Sequence, residues 1–272
     1  MRPYILPLGL FRLLLSSLLV ITLSLTGTAA PADGSSPEQL QQPWSALLRL
    51  HVTPEGRLNY EGLLAEEDQL LGYLQSLRKV RPQAETWTPD QLKAFWLNTY
   101  NAAATNLILE NYPVASINDI RIKTMGSYES PWETVVVNVG GQNYSLNQIE
   151  QQLRQQFRDP RIHFALNYGA ASSAPLLAEA YTGAQLNQQL DQQARRFIND
   201  PAFNQLSAQQ VQLSALFRSY ATEFGAEPQL LAFINRYAHA PVAATASIEY
   251  LSFSWALNSP SALSNGPVLG RK

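Results

Sequence analysis

His163, Ser173 and Glu150 have the side-chain types that acyl transfer uses. An imidazole within hydrogen-bond reach of a hydroxyl can take its proton as the oxygen attacks a carbonyl, while a third group fixes the imidazole tautomer. In that chemistry His163 is the general base and Ser173 the nucleophile, with Glu150, Asn98 or Asn167 orienting the ring. His163 is one of only three histidines in the chain, and a run of small residues, Gly169 to Ala174, follows it and is closed by Pro175. Small residues suit places where backbone or a ligand comes close. The segment Ile162 to Leu166 reads as a short apolar strand. An extended run advances about 3.3 Å per residue, so the loop must fold back before Ser173 can meet His163.

A non-catalytic binding role uses the same residues differently. His163 is then a buried ring beside Asn98 and Asn101, and Ser172 and Ser173 are loop residues bonded to backbone. Asn167, Tyr168 and Trp255 join them as binding residues, with Tyr128 and Trp132 as further aromatic candidates. The partner would be a peptide, a glycan or an envelope protein. A metal site is not expected, because His51, His163 and His239 are far apart and no His-x-x-x-His, paired Cys or Asp-rich loop exists. No motif calls for a cofactor.

The elements that must position these residues follow from local signals. Thr88-Pro89-Asp90-Gln91 combines an N-cap, a proline at the first helical position and a capping-box partner. The helix it opens runs to Glu110 and is stopped by Asn111-Tyr112-Pro113. Its apolar positions cover a wide face, so much of it should be buried. Asn98, Asn101 and Thr105 share one side of it, and asparagine is a poor helix former, so these amides should bond to a neighbouring loop. Ser145 to Gln148 and Thr182 to Gln185 are two further capping-box patterns, each opening a helix. Gly140-Gly141 between Val135–Val139 and Gln142–Tyr144 signals a hairpin. Leucines at 63, 64, 70, 71, 74 and 77 give helical spacing over 61–79. Two more helices are expected over Leu213–Phe224 and Pro228–Ala240, then a last strand over Ile248–Phe253. The order predicts an α+β fold, a helix-rich single domain with a small, mainly antiparallel sheet.

Composition narrows the setting. Net charge is −2 and only 15% of residues are charged, so there is no electrostatic footprint for nucleic acid. Arg2 and Arg12 border an apolar run from Leu13 to Leu25, and small residues ending in Ala30-Pro31-Ala32 follow. That is a signal-peptide layout over 1–32 with cleavage before Asp33, or alternatively nearer Ala29, and it implies export to the periplasm or medium. An uncleaved anchor is the alternative, for which the run is short. After cleavage no stretch is apolar enough to hold the protein in a membrane. Residues 33–43 read as a linker, 44–258 as the folded domain with 44–80 its N-terminal helical part, and 259–272 as a loose tail. The chain has no cysteine, so the roughly 240 mature residues must be held by their own core without disulfides.

Several blocks carry a resemblance. They are Phe95-Trp-Leu-Asn-Thr-Tyr-Asn-Ala102, Tyr144-Ser-Leu-Asn-Gln-Ile-Glu150, Asp159-Pro-Arg-Ile-His-Phe-Ala-Leu-Asn167, Leu213-Ser-Ala-Leu-Phe217 and Tyr250 to Asn258. Together they resemble the domain of unknown function (DUF) family 547, which names no activity. The resemblance leaves a papain- or transglutaminase-like arrangement open. The family's pattern after His163 has Asn-Cys, three residues, then Ser-Cys-Pro-Pro. This chain has Tyr168 and Ser173 at the two cysteine positions, Gln151 where the family tends to carry His, and Ser254 where an Asp precedes the tryptophan. These departures favour an exported, non-catalytic or altered-site binding protein. A serine-variant acyl-transfer hydrolase using His163 and Ser173 is the alternative.

Overall fold

The computed structural model describes residues 36–260. The helix Pro89–Leu109 is its axis. Thr88 Oγ1 accepts from Gln91 N–H at 3.2 Å and Gln91 Oε1 accepts from Thr88 N–H at 2.9 Å, the reciprocal bonds the sequence calls for. Every residue from Leu92 to Leu109 is buried. A helix buried on all sides needs cover on all sides, and it has it. Helices Gln42–His51 and Glu67–Ser76 lie to one side, and Leu146–Phe157 and the hairpin Val135–Val139 with Gln142–Ser145 complete the wrap. Val139 pairs with Gln142 across Gly140-Gly141, both with positive φ (60° and 91°), as a two-residue hairpin turn requires.

A second core lies towards the C-terminus. Phe164, Phe197, Phe203, Phe217 and Phe224 meet there, with Phe164–Phe197 ring centres 5.2 Å apart and Phe217–Phe224 4.9 Å apart. Burying each such ring stabilises the fold by about 1.5–3 kcal/mol relative to exposure. Helix Leu186–Asn199 joins the two cores, touching the axial helix, the turn at 160–164 and helix Glu227–Tyr237. The architecture is α+β, helix-rich, with small and mainly antiparallel strands. Among the described residues the strands make three separate sheets rather than one, and Gln210–Leu213 pairs in parallel with Ser247–Tyr250.

Several local expectations differ from the structure. Ile162 to Leu166 is not a strand: Pro160–Phe164 is a 3-10 turn. Asp159 caps it, its carboxylate accepting from Arg161 N–H at 3.1 Å, and Pro160 presets the helical φ. The third capping box does not form. Helix Leu186–Asn199 begins after Gln185 without a side-chain cap, and Thr182 N–H donates to Gln189 Oε1 at 3.0 Å instead. Leu213 ends a strand, Ser214 caps a short helix Ala215–Ser219, and Tyr220 separates it from Ala221–Phe224. The helix over 61–79 is interrupted by 3-10 turns at Leu64–Glu66 and Leu77–Lys79. The final strand is confined to Ser247–Tyr250, because its parallel partner ends at Leu213. The described part of the expected linker is helical at Pro37–Leu40 and docked: Glu38 accepts from Gln91, and buried Gln41 accepts from Tyr73 Oη at 2.7 Å. The apolar run Leu13–Leu25 and the tail from 261 lie outside the described residues. Among the described residues no helix is long and apolar enough to cross a membrane.

Candidate functional site

Asparagines on the axial helix hold the loop that follows His163. Asn101 donates to Ala165 O at 2.8 Å and accepts from Asn167 N–H at 2.9 Å, so it takes the place of a neighbouring strand. Asn98 does the same for Tyr181, donating to its carbonyl at 2.8 Å and accepting from its N–H at 2.9 Å. Asn167 continues the brace, donating to Ala174 O and accepting from Gly169 N–H. Gly169 has φ 67°, which favours glycine, and a Cβ there would sit 2.4 Å from Ile108 Cδ1, so a larger residue would have to push the Ile108 side chain aside.

Ser173 is part of this brace. It is 2% exposed, and its Oγ accepts from Tyr168 N–H at 3.1 Å and Ala170 N–H at 3.3 Å. Ser172 ties the loop to the last segment, with Ser254 N–H donating to its Oγ at 2.9 Å and Ser172 N–H donating to Ser254 O at 3.2 Å. That pairing lays 254–258 beside the loop and sets Trp255 against Trp132, ring centres 5.7 Å apart. Trp132 in turn meets Tyr168 at 6.2 Å. Tyr168 is buried rather than exposed.

His163 belongs to a different network. It is fully buried, and its Nε2 lies 2.8 Å from Glu223 Oε2. A carboxylate only accepts, so Nε2 carries the proton. Nδ1 has no hydrogen-bond partner. The ring stacks on Tyr220 with centroids 3.7 Å apart, and the Arg154 guanidinium lies 4.9 Å from the centre of the same tyrosine ring. Arg154 Nε also donates to Glu223 Oε1. Tyr220 Oη donates to Glu150 Oε1 at 2.7 Å and lies 2.8 Å from Tyr168 Oη. Since the Tyr220 proton goes to Glu150, Tyr168 is the donor in that last bond.

Electrostatics follow from this layout. Burial pushes the Glu223 carboxyl up, but the bonds from His163 and Arg154 outweigh it and hold the group below the usual carboxylate range. Burial and the Glu150 charge push the Tyr220 and Tyr168 phenols up, so both remain protonated donors. Glu150, Gln148, Gln151, Arg154, Tyr220 and Glu223 line an open polar cleft of about 700 Å³. Among the described residues no three His, Asp or Glu side chains come together as metal ligands.

The structure therefore separates the sequence-derived candidates into two groups. His163, Glu150 and Tyr168 meet through Tyr220, with Trp255 nearby. Ser173, Ser172, Asn98, Asn101 and Asn167 brace backbone, and no hydrogen bond joins Ser173 to His163. Arg154, Tyr220 and Glu223 were not singled out from sequence. Arg154 stands four residues after Glu150 on one helix, a spacing that pairs charges; its Nη1 is 3.7 Å from Glu150 Oε1.

Residues 84–198 match the family model described as protein of unknown function, DUF547. This stretch, less than half of the chain, is similar to the DUF547 family. No curated protein and no solved structure matches the chain. The DUF547 stretch contains Glu150, Arg154, His163, Tyr168 and Ser173, whereas Tyr220, Glu223 and Trp255 come from beyond it. The network around His163 is thus assembled partly from the DUF547 stretch and partly from the chain that follows.

Proposed function

We propose that this DUF547-like protein is an exported envelope protein that binds a partner in the cleft beside Tyr220 and does not transform it. The observation that carries this reading is the state of Ser173. Its hydroxyl is buried and occupied by two backbone N–H groups, and no hydrogen bond joins it to His163, whose ring is held at Nε2 by Glu223. A serine nucleophile needs its own proton held by a base and its oxygen open to a carbonyl; neither condition is met. The cleft, by contrast, offers amides, carboxylates and one guanidinium, the groups that read a peptide, a glycan or a protein surface. The alternative, a serine-variant hydrolase, requires Ser173 to leave both bonds and rotate towards His163.

A serine-directed fluorophosphonate probe tests the reading. We expect no labelling of the mature protein; labelling that disappears in Ser173→Ala would establish the hydrolase instead. Export is checked by the N-terminus of the product in periplasmic or medium fractions, expected near Asp33. A full-length membrane-bound product would contradict it.

A further inference from the structure

Tyr220 also lines a second hollow. Tyr168, Leu216, Arg218, Tyr220, Phe253 and Trp255 line about 220 Å³ there. This is smaller than the roughly 300–1,000 Å³ of sites that enclose a whole drug-sized ligand, so it suits one residue-sized group. Trp255 is 39% exposed and packs its ring on Phe253 with centroids 4.6 Å apart, which fixes an open aromatic wall. The phenols of Tyr168 and Tyr220 are already committed to each other and to Glu150.

The remaining charged group in the hollow is Arg218. It is exposed, its guanidinium lies 5.7 Å from the centre of the Tyr250 ring, and it forms no ion pair with any carboxylate among the described residues. Burial and then the Glu227 charge push the Tyr250 phenol up, but Glu227 makes no ion pair with Arg218. The hollow therefore has an apolar floor, aromatic walls, the Ser219 hydroxyl and one cation that makes no ion pair among the described residues. A guanidinium with open donors matches a carboxylate in a two-pronged geometry. An apolar side chain on the same atom as a carboxylate is what the last residue of a peptide presents. A sugar ring fits less well, because most of its hydroxyls would face aromatic and apolar walls, with Ser219 and Arg218 the polar groups at the edge.

We propose that this hollow binds the C-terminal residue of a peptide, with its side chain between Trp255 and Tyr220 and its terminal carboxylate on Arg218. The proposal rests on the binding reading above and adds the ligand class and polarity. The preceding residues of the peptide would run over Tyr220 into the polar cleft.

Isothermal titration of the mature protein with acetyl-Ala-Ala-Phe as free acid and as C-terminal amide tests it. The free acid should bind, the amide should bind about tenfold more weakly or worse, and Arg218→Gln should erase the difference. Arg218 is on the surface, so this variant keeps the fold; Trp255→Ala should weaken both peptides. Equal binding of acid and amide would overturn the proposal, as would binding of neutral oligosaccharides with no peptide binding, although either leaves the groove-binding reading standing. A dimer in sedimentation that Trp255→Ala dissolves would also overturn it, since the hollow would then take a second copy. Fluorophosphonate labelling of Ser173, by contrast, removes the binding reading itself.

Discussion

Ser173→Ala is the substitution that separates a brace from a nucleophile. The serine oxygen is the acceptor for Tyr168 N–H at 3.1 Å and Ala170 N–H at 3.3 Å, in a loop where Ala170 is fully buried. Neither N–H has another acceptor among the described residues, so alanine strands two buried donors. An unsatisfied buried donor costs about 1–3 kcal/mol. One oxygen shared at these lengths puts each bond near the lower end, giving roughly 2–3 kcal/mol in total. For a protein of this size that lowers Tm by about 4–12 °C. Urea denaturation of wild type and variant, with equal m-values, measures the loss. Ser173→Cys should fall between them, because sulfur is a weaker acceptor. The restored thiol should react with iodoacetamide no faster than an ordinary buried cysteine, since no base contacts it. A Ser173→Ala protein within about 0.5 kcal/mol of wild type would refute the brace, because surface substitutions without partners behave that way.

Asn101→Ala removes a donor to Ala165 O and an acceptor for Asn167 N–H, both buried, and should cost about 2–5 kcal/mol in chemical denaturation; a loss below about 1 kcal/mol would show that the loop holds itself. Asp159 predicts a pH dependence. Burial raises its carboxyl, but bonds from Arg161 and Lys93 outweigh this and hold it at about 2 rather than 3.8. A carboxyl whose folded pKa is depressed stabilises the fold above its unfolded pKa and loses that contribution as pH falls through the folded value. The contribution, about 2 kcal/mol, should be complete above about pH 5 and vanish between about pH 4 and 2. Comparing Asp159→Asn with wild type across that range checks it; parallel stability curves would count against the clasp.

Much of the scaffold was legible because its signals act over a few residues. Thr88, Pro89 and Gln91 announce the axial helix, Gly140-Gly141 announces the hairpin, and asparagines inside a buried helix point to loops they must satisfy. The turn at 160–164 was misread because apolar residues alone do not separate a strand from a helical turn, whereas Asp159 with Pro160 does. The break at Tyr220 was hidden for another reason. Its neighbours have helical spacing, but its ring is clamped between His163 and Arg154, which come from other segments.

By itself the sequence determined the helix-rich α+β class, the axial helix, the resemblance to DUF547 and the missing thiols. It also placed His163 and Ser173 ten residues apart, close enough to suggest a catalytic pair. Only the tertiary structure decided that they face different partners, since loop folding and side-chain bonding, rather than spacing, set that geometry. Asn101 and Asn167 turn the loop so that Ser173 accepts from its own backbone, while Glu223, sixty residues after His163, accepts the hydrogen bond from the imidazole N–H. A buried ring bonds to whatever the fold brings beside it, and that neighbour was written far away in the chain.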